Sequence, residues 1–283
     1  MVGDRFLITK IFKGYVMMNK KGIIVPLYIY PEPYIQYTKA EAEKLADTEH
    51  HGVYDWHNLI ECRGKYSKVP VIAIVNPASG PGKEMDPVFK KAFIALKEAG
   101  ITIIGYVSTK YAGMASAISL PQYPIINIKQ DIDSWYRFYP MIDGIFFDEM
   151  ARGFDPKVQS YYAEVKDYAK SFNSGLVVMN PGLSINHRWY DNNIADIFIT
   201  WEKDSYPTTT EAVTDSDYSQ QDSEDGPERG CLVIGKKFKK HDVKWILKTH
   251  YDWMFITPFS LDPNPWDKLD IDTLKKLFRI LSR

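Results

Sequence analysis

Cysteine is scarce: only Cys62 and Cys231 occur, so no disulfide framework staples the chain. The expectation is two buried free thiols, with the redox compartment left open. An excess of charge of either sign is also missing. The 35 basic and 36 acidic side chains leave a net charge of −1, which argues against nucleic acid as a partner. No apolar run reaches the ~20 residues that a membrane-spanning helix needs. Met1–Gly22 carries charges throughout, so it is not read as a secretory signal and localisation stays undetermined. The six histidines form no His-Glu-x-x-His helix, and His50-His51 reads as part of a charged loop, so neither a metal nor a cofactor is expected. No Gly-x-Ser-x-Gly elbow of a serine esterase is present. Ser79-Gly80-Pro81-Gly82-Lys83 fails as a phosphate loop, because Pro77 and Glu84 stand where Gly and Ser or Thr are required.

What is abundant is aromatic. Aromatic residues make up 14% of the chain, with 7 Trp and 19 Tyr. Such rings offer flat apolar faces that stack on sugars, although packing in a Tyr-rich core explains the same composition. A length of 283 residues suits one α/β barrel of ~250 residues plus an extension.

Eight short apolar runs recur along the chain: Ile24–Tyr30, Val69–Asn76, Ile101–Ser108, Gly144–Asp148, Leu176–Asn180, Asp196–Trp201, Cys231–Ile234 and Trp253–Thr257. Their near-continuous hydrophobicity is that of parallel strands buried on both faces. Helical stripes separate them, at Asp86–Ala99, Pro156–Phe172, Val243–His250 and Leu269–Leu281. Eight alternations predict a single-domain (β/α)8 TIM-type barrel over residues 23–283, with a doubly wound open sheet as the competing topology. Residues 1–22 read as an N-terminal β extension, with a strand over Phe6–Met18. The polar stretch Lys203–Gly230 reads as a long loop after the sixth barrel strand, lying over the mouth.

In such a barrel the chemistry sits where the strands end. That filter selects Tyr28, Tyr30, Asn76, Tyr106, Asn180, Thr257 and three acids, Asp148, Glu149 and Glu202. Burial raises a carboxyl pKa and a neighbouring carboxylate splits the two titrations, which is what glycoside hydrolysis asks of its acid and its nucleophile or base. Asp148 and Glu149 are consecutive on a strand, so both face the site only if the strand stops there. Asn76 and Asn180 each precede Pro, which extends the backbone and ends the strand. Each amide either holds a sugar hydroxyl or satisfies its own turn. Tyr111, Trp201 and Tyr206 complete the candidate sugar-binding set.

At these residues the sequence resembles the spherulin-4-like, or spherulation-specific, family of glycoside hydrolases. The likeness is carried by Val-Pro-Leu-Tyr-Ile-Tyr-Pro from Val25 and Val-Pro-Val-Ile-Ala-Ile-Val-Asn-Pro-Ala-Ser-Gly-Pro-Gly from Val69. Gly-Tyr-Val-Ser-Thr-Lys-Tyr from Gly105, Asp131-Ile-Asp-Ser-Trp, Gly-Ile-Phe-Phe-Asp-Glu from Gly144, Val-Met-Asn-Pro-Gly from Val178 and Asn264-Pro265-Trp266 add to it. The resemblance implies a (β/α)8 barrel that cleaves α-linked galactosamine-containing exopolysaccharide of microbial biofilm. It also implies that Asp148, Glu149 and Glu202 are the essential acids. Members are often extracellular, whereas the extension and the acidic loop have no counterpart in the family pattern. A polysaccharide is the expected partner, with oligomeric state undetermined. A carbohydrate-binding barrel without catalysis, used for adhesion or structure, is the alternative of a different class.

Overall fold

The computed structural model describes residues 11–12, 15–16, 21–32, 37–114, 121–207, 226–249, 251–262 and 264–283. Within the N-terminal stretch, β1 (Ile11–Phe12) pairs antiparallel with β2 (Tyr15–Val16). The rest of the strand expected over Phe6–Met18, and most of the acidic loop, lie outside the described residues.

Eight parallel strands then close a barrel: β3 (Gly22–Leu27), β4 (Val71–Val75), β5 (Thr102–Ser108), β6 (Gly144–Asp148), β7 (Leu176–Met179), β8 (Ile197–Lys203), β9 (Glu228–Val233) and β10 (Trp253–Ile256), with β10 pairing back on β3. Closure removes the open-sheet alternative and leaves none of the eight barrel strands with an open edge. Every residue of β4 and β10 is buried, as expected for strands enclosed between a filled barrel and a helical coat. The first strand begins at Gly22, two residues earlier than the apolar run suggested, and ends at Leu27. Glu228–Gly230, read as loop, open β9.

The helical coat comprises α1 (Lys39–Leu45), α2 (His51–Lys65), α3 (Pro87–Glu98), α4 (Ile125–Phe138), α5 (Pro156–Asn173), α6 (Arg188–Asp191), α7 (Lys240–Ile246) and α8 (Ile271–Leu281). Helices α3 and α5 begin as their sequences dictate. Asp86 and Asp155 cap the first turn by accepting backbone N–H groups, and Pro follows at the first helical position. The loop reading of His50-His51 holds for His50, in the turn before α2, whereas His51 opens the helix. His250, the expected end of α7, lies outside the described residues. Helix α4 rests on the barrel through Trp135, whose indole donates to the Tyr106 carbonyl at 2.8 Å. A Cβ at Gly105 would fall 2.5 Å from that ring, so Gly is what allows the helix to approach.

One irregularity matters for the site. Ile199 pairs with Gly230, but the next partners are Trp201 and Cys231, so Thr200 is an extra residue, a β-bulge. Phe198 faces outward, packing edge-on against Tyr190 of α6. Strict alternation would send Glu202 outward too; the bulge shifts the phase and turns it into the barrel.

At the opposite rim, Asp143, Asp196 and Asp252 stand immediately before β6, β8 and β10. Each accepts the N–H of a residue at the start of the preceding strand, Ile103 at 2.8 Å, Val177 at 2.7 Å and Arg229 at 3.2 Å. Each also pairs with a lysine, Lys97, Lys170 and Lys21 respectively. These three clamps fasten strand pairs far from the mouth. Replacing Asp196 by Ala orphans the Val177 N–H and takes the carboxylate partner from Lys170, and is expected to cost roughly 1–3 kcal/mol. Urea unfolding would read this as a lower midpoint at an unchanged slope.

Candidate active site

The C-terminal rim brings Asp148, Asn180 and Glu202 together from three adjacent strands. Asp148 is the last residue of β6, Asn180 follows β7, and Glu202 lies beyond the bulge in β8. Asn180 Nδ2 donates to Asp148 Oδ1 at 2.8 Å and to Glu202 Oε2 at 2.7 Å. Its orientation is fixed from behind, because Oδ1 accepts the Gly182 N–H at 2.8 Å. With its oxygen held, the amide must offer both hydrogens to the two acids. One nitrogen serving two carboxylates keeps the accepting oxygens about 5 Å apart. Gly182 takes a φ of 68°, a left-handed conformation that suits glycine. Its N–H also reaches Ile199 O, and its carbonyl accepts from the Glu202 N–H, so the Asn-Pro-Gly turn is laced to β8 on both sides of the bulge.

The second oxygen of Asp148 accepts the Tyr106 hydroxyl at 2.9 Å. Tyr28 stands edge-on to Tyr106, with ring centroids 5.6 Å apart. Burial raises the Asp148 pKa, while hydrogen bonds from the Glu149 N–H, Tyr106 and Asn180 oppose the rise and the charge of Glu149 adds to it. Burial also pushes Glu202 up, to about 7, helped by the charge of Asp148 and opposed by the Asn180 hydrogen bond. Both phenols are held above their ordinary range, first by burial and then by the nearby carboxylates. The arrangement sets an acid whose pKa is pushed up to about 7 beside an aspartate that accepts from three donors.

Glu149 joins the rim because β6 ends at Asp148 and the chain then turns left-handed, with φ 56° at Glu149. Its carboxylate accepts from Ser108 Oγ and pairs with Lys110 Nζ at 3.3 Å. A second left-handed stretch faces it: Lys110, Tyr111 and Ala112 have φ of 51°, 52° and 57°. Each such residue costs about 1–2 kcal/mol relative to the right-handed form. Strain of this kind gathers at functional sites. It leaves Tyr111 52% exposed, close enough to Glu149, Asp148 and Glu202 for their charges to raise its pKa after burial.

Four other candidates are not brought to the acids. Tyr30 packs edge-on against Phe89 of α3 and faces Asp86. Asn76 spends its carbonyl oxygen on the Gly80 N–H of its own loop, the plainer of its two readings. Trp201 is 2% exposed and donates to Ser205 O, so it offers no face to a sugar. The Tyr206 hydroxyl bonds Lys237 O and the Lys239 N–H, pinning the loop after β9. Ser108 and Lys110 were missed by the strand-end filter, although Ser108 is the register partner of Asp148. Both thiols are free and buried. Among the described residues no three His, Cys, Asp or Glu side chains group as a metal site, and no helix is long and apolar enough to cross a membrane.

Comparison with known proteins fits this geometry into a lineage. A family model described as "Spherulation-specific family 4" matches residues 22–279. Spherulin-4 of Physarum polycephalum is 31% identical over 163 residues, covering 56% of this chain and 39% of that protein. The match therefore spans well under half the length of that relative. Among solved structures, Sph3 of Aspergillus clavatus in complex with GalNAc superposes with a TM-score of 0.70. It is 21% identical and covers 93% of this chain and 98% of that one. At that identity the superposition speaks to the barrel fold.

Replacing Asn180 by Ala removes a hydrogen bond that favours ionised Glu202. The Glu202 pKa is expected to move above about 7, read by carbon-13 NMR titration of its carboxyl. An unchanged or lower value would mean that the amide does not set its ionisation.

Proposed function

The chain belongs to the spherulation-specific family 4, and from that membership we propose that it is a glycoside hydrolase. Its substrate on this reading is α-1,4-linked exopolysaccharide containing galactosamine and N-acetylgalactosamine, cut within the polymer. The observation that carries the reading is the single Asn180 nitrogen held between Asp148 and Glu202. Two carboxylates about 5 Å apart at a barrel mouth match the spacing used for hydrolysis with retention. The GalNAc bound to Aspergillus clavatus Sph3, on the same barrel, supports an amino sugar as ligand. Half-exposed Tyr111, beside the acids, supports stacking of a neighbouring sugar.

On this reading Glu202, carrying its proton near neutral pH, delivers it to the glycosidic oxygen. Asp148, kept anionic by Tyr106 and Asn180, attacks the anomeric carbon as the leaving sugar departs. The resulting glycosyl ester breaks when Glu202, now the base, takes a proton from water and the hydroxide adds to the same carbon. Asp148 is released as the carboxylate and Glu202 is protonated again. Glu149, anchored by Ser108 and Lys110, positions this pair and contributes charge.

Asp148→Asn and Glu202→Gln are each expected to lower kcat about 100-fold or more on a partially N-acetylated α-1,4-galactosamine polymer. Mass spectrometry of the released oligosaccharides reads the effect. Near-normal turnover in both variants would sink the assignment, and binding by the wild type without any cleavage would favour the adhesive barrel. The pH profile should fall on the alkaline side near pH 7 as Glu202 loses its proton. On the acid side it should fall as Asp148 gains one, at a pH above the ordinary aspartate range. The Glu202→Gln variant should lack the alkaline limb. Proton NMR of fresh product should show the α anomer.

A further inference from the structure

Thr109 and Tyr162 are fully buried and touch no substrate-facing surface, yet their hydroxyls join the two left-handed stretches of the rim. The Ala151 N–H donates to the Tyr162 hydroxyl at 2.8 Å. Tyr162 Oη lies 3.1 Å from Thr109 Oγ1, and Thr109 Oγ1 lies 3.0 Å from Asp148 O and 2.8 Å from Glu149 O. Among the described residues, the acceptor beside the Tyr162 hydroxyl hydrogen is Thr109 Oγ1. Thr109 is then left to give its own hydrogen to the two carbonyls on either side of the left-handed Glu149. The same carbonyls accept backbone groups of the facing turn: Asp148 O takes the Thr109 N–H at 2.9 Å, and Glu149 O takes the Tyr111 N–H at 2.7 Å. The turn's far end is tied down where Ala112 O accepts the N–H groups of Gln122 and Tyr123.

We propose that Thr109 and Tyr162 are positioning residues of the active site, whose buried hydroxyl relay holds the left-handed backbone at Glu149 and Lys110–Ala112 and thereby aims the Glu149 carboxylate and the Tyr111 ring at the cleft. The relay acts on peptide planes, through which it orients the side chains that meet the sugar. Conformations that L-residues rarely adopt persist only where surrounding bonds over-determine them, and here one threonine hydroxyl bridges both. The proposal rests on the hydrolase reading for its kinetic consequence, but its structural consequence is separable.

The full chain serves for the test, with Thr109→Val, Thr109→Ser, Tyr162→Phe and the Thr109→Val/Tyr162→Phe pair. On the partially N-acetylated α-1,4-galactosamine polymer, Thr109→Val and Tyr162→Phe are expected to lower kcat about 10- to 100-fold, because small misplacements of reacting groups are costly. Thr109→Ser, which keeps the hydroxyl, should recover most of the loss. The double variant should be no worse than the poorer single one, since both remove the same relay. Hydrogen exchange supplies the readout independent of activity: the Tyr111 and Ala112 amides should lose protection in Thr109→Val and keep it in Thr109→Ser, with barrel-strand amides unchanged. Wild-type exchange in Thr109→Val, or equal losses in Thr109→Val and Thr109→Ser, overturns the relay. A wild-type protein that leaves the polymer intact overturns the hydrolase reading instead, and the exchange result still decides the positioning role.

Discussion

The site depends on one side-chain amide that has no freedom left. Asn180 cannot flip, because its oxygen already accepts the Gly182 N–H, and so its nitrogen is committed to Asp148 and Glu202 together. Two buried carboxylates at this distance would otherwise repel each other and draw apart or share a proton. A donor between them lets one remain charged while the other holds its hydrogen. The turn that carries the amide is bonded into β8, so the strand that presents Glu202 also braces the group that calibrates it.

Much of this architecture is legible in the sequence. Continuous apolar runs give the strands, and the residues that close them give Asp148, Asn180 and Glu202. Tyr28 and Tyr106 follow from the same rule. Helix α1 was also within reach, since Thr38 and Glu41 form a capping box, as was α4, whose Ile128, Ile132 and Trp135 share a buried stripe. The local sequence conceals phase and partnership. Nothing in Ile-Phe-Ile-Thr-Trp-Glu announces that Thr200 is supernumerary, and without that knowledge Trp201 and Glu202 cannot be assigned to inside and outside. Nothing near Tyr206 reveals that its hydroxyl is engaged by residues some thirty positions later. The left-handed turn at Lys110–Ala112 is concealed for a similar reason. Its residues favour ordinary backbone, and the rarer one is held by contacts distant in sequence, from the end of β6, from α5 and from Gln122 and Tyr123.

The two rims of the barrel divide their duties. At the N-terminal end, Asp143, Asp196 and Asp252 spend their charges on lysines and backbone amides, in ordinary conformations that serve cohesion. At the C-terminal end, acids are buried beside one another, backbone angles are unusual, and aromatic rings stand half in solvent. That contrast fits a scaffold whose stability is secured where no ligand comes, leaving the mouth free to carry arrangements that do not favour folding.

The bulge in β8 has an evolutionary corollary. Deleting the single codon for Thr200 would remove the bulge yet leave Trp201 opposite Cys231 and Glu202 opposite Leu232, so the two residues beyond it would keep their sides. The inversion would come instead from a threonine that took a regular place in the ladder: the indole would then project into the lumen, and the acid would be driven into the helical jacket. The inward acid would thus survive loss of the extra residue, and what it requires is that the residue, while present, stays out of the pairing.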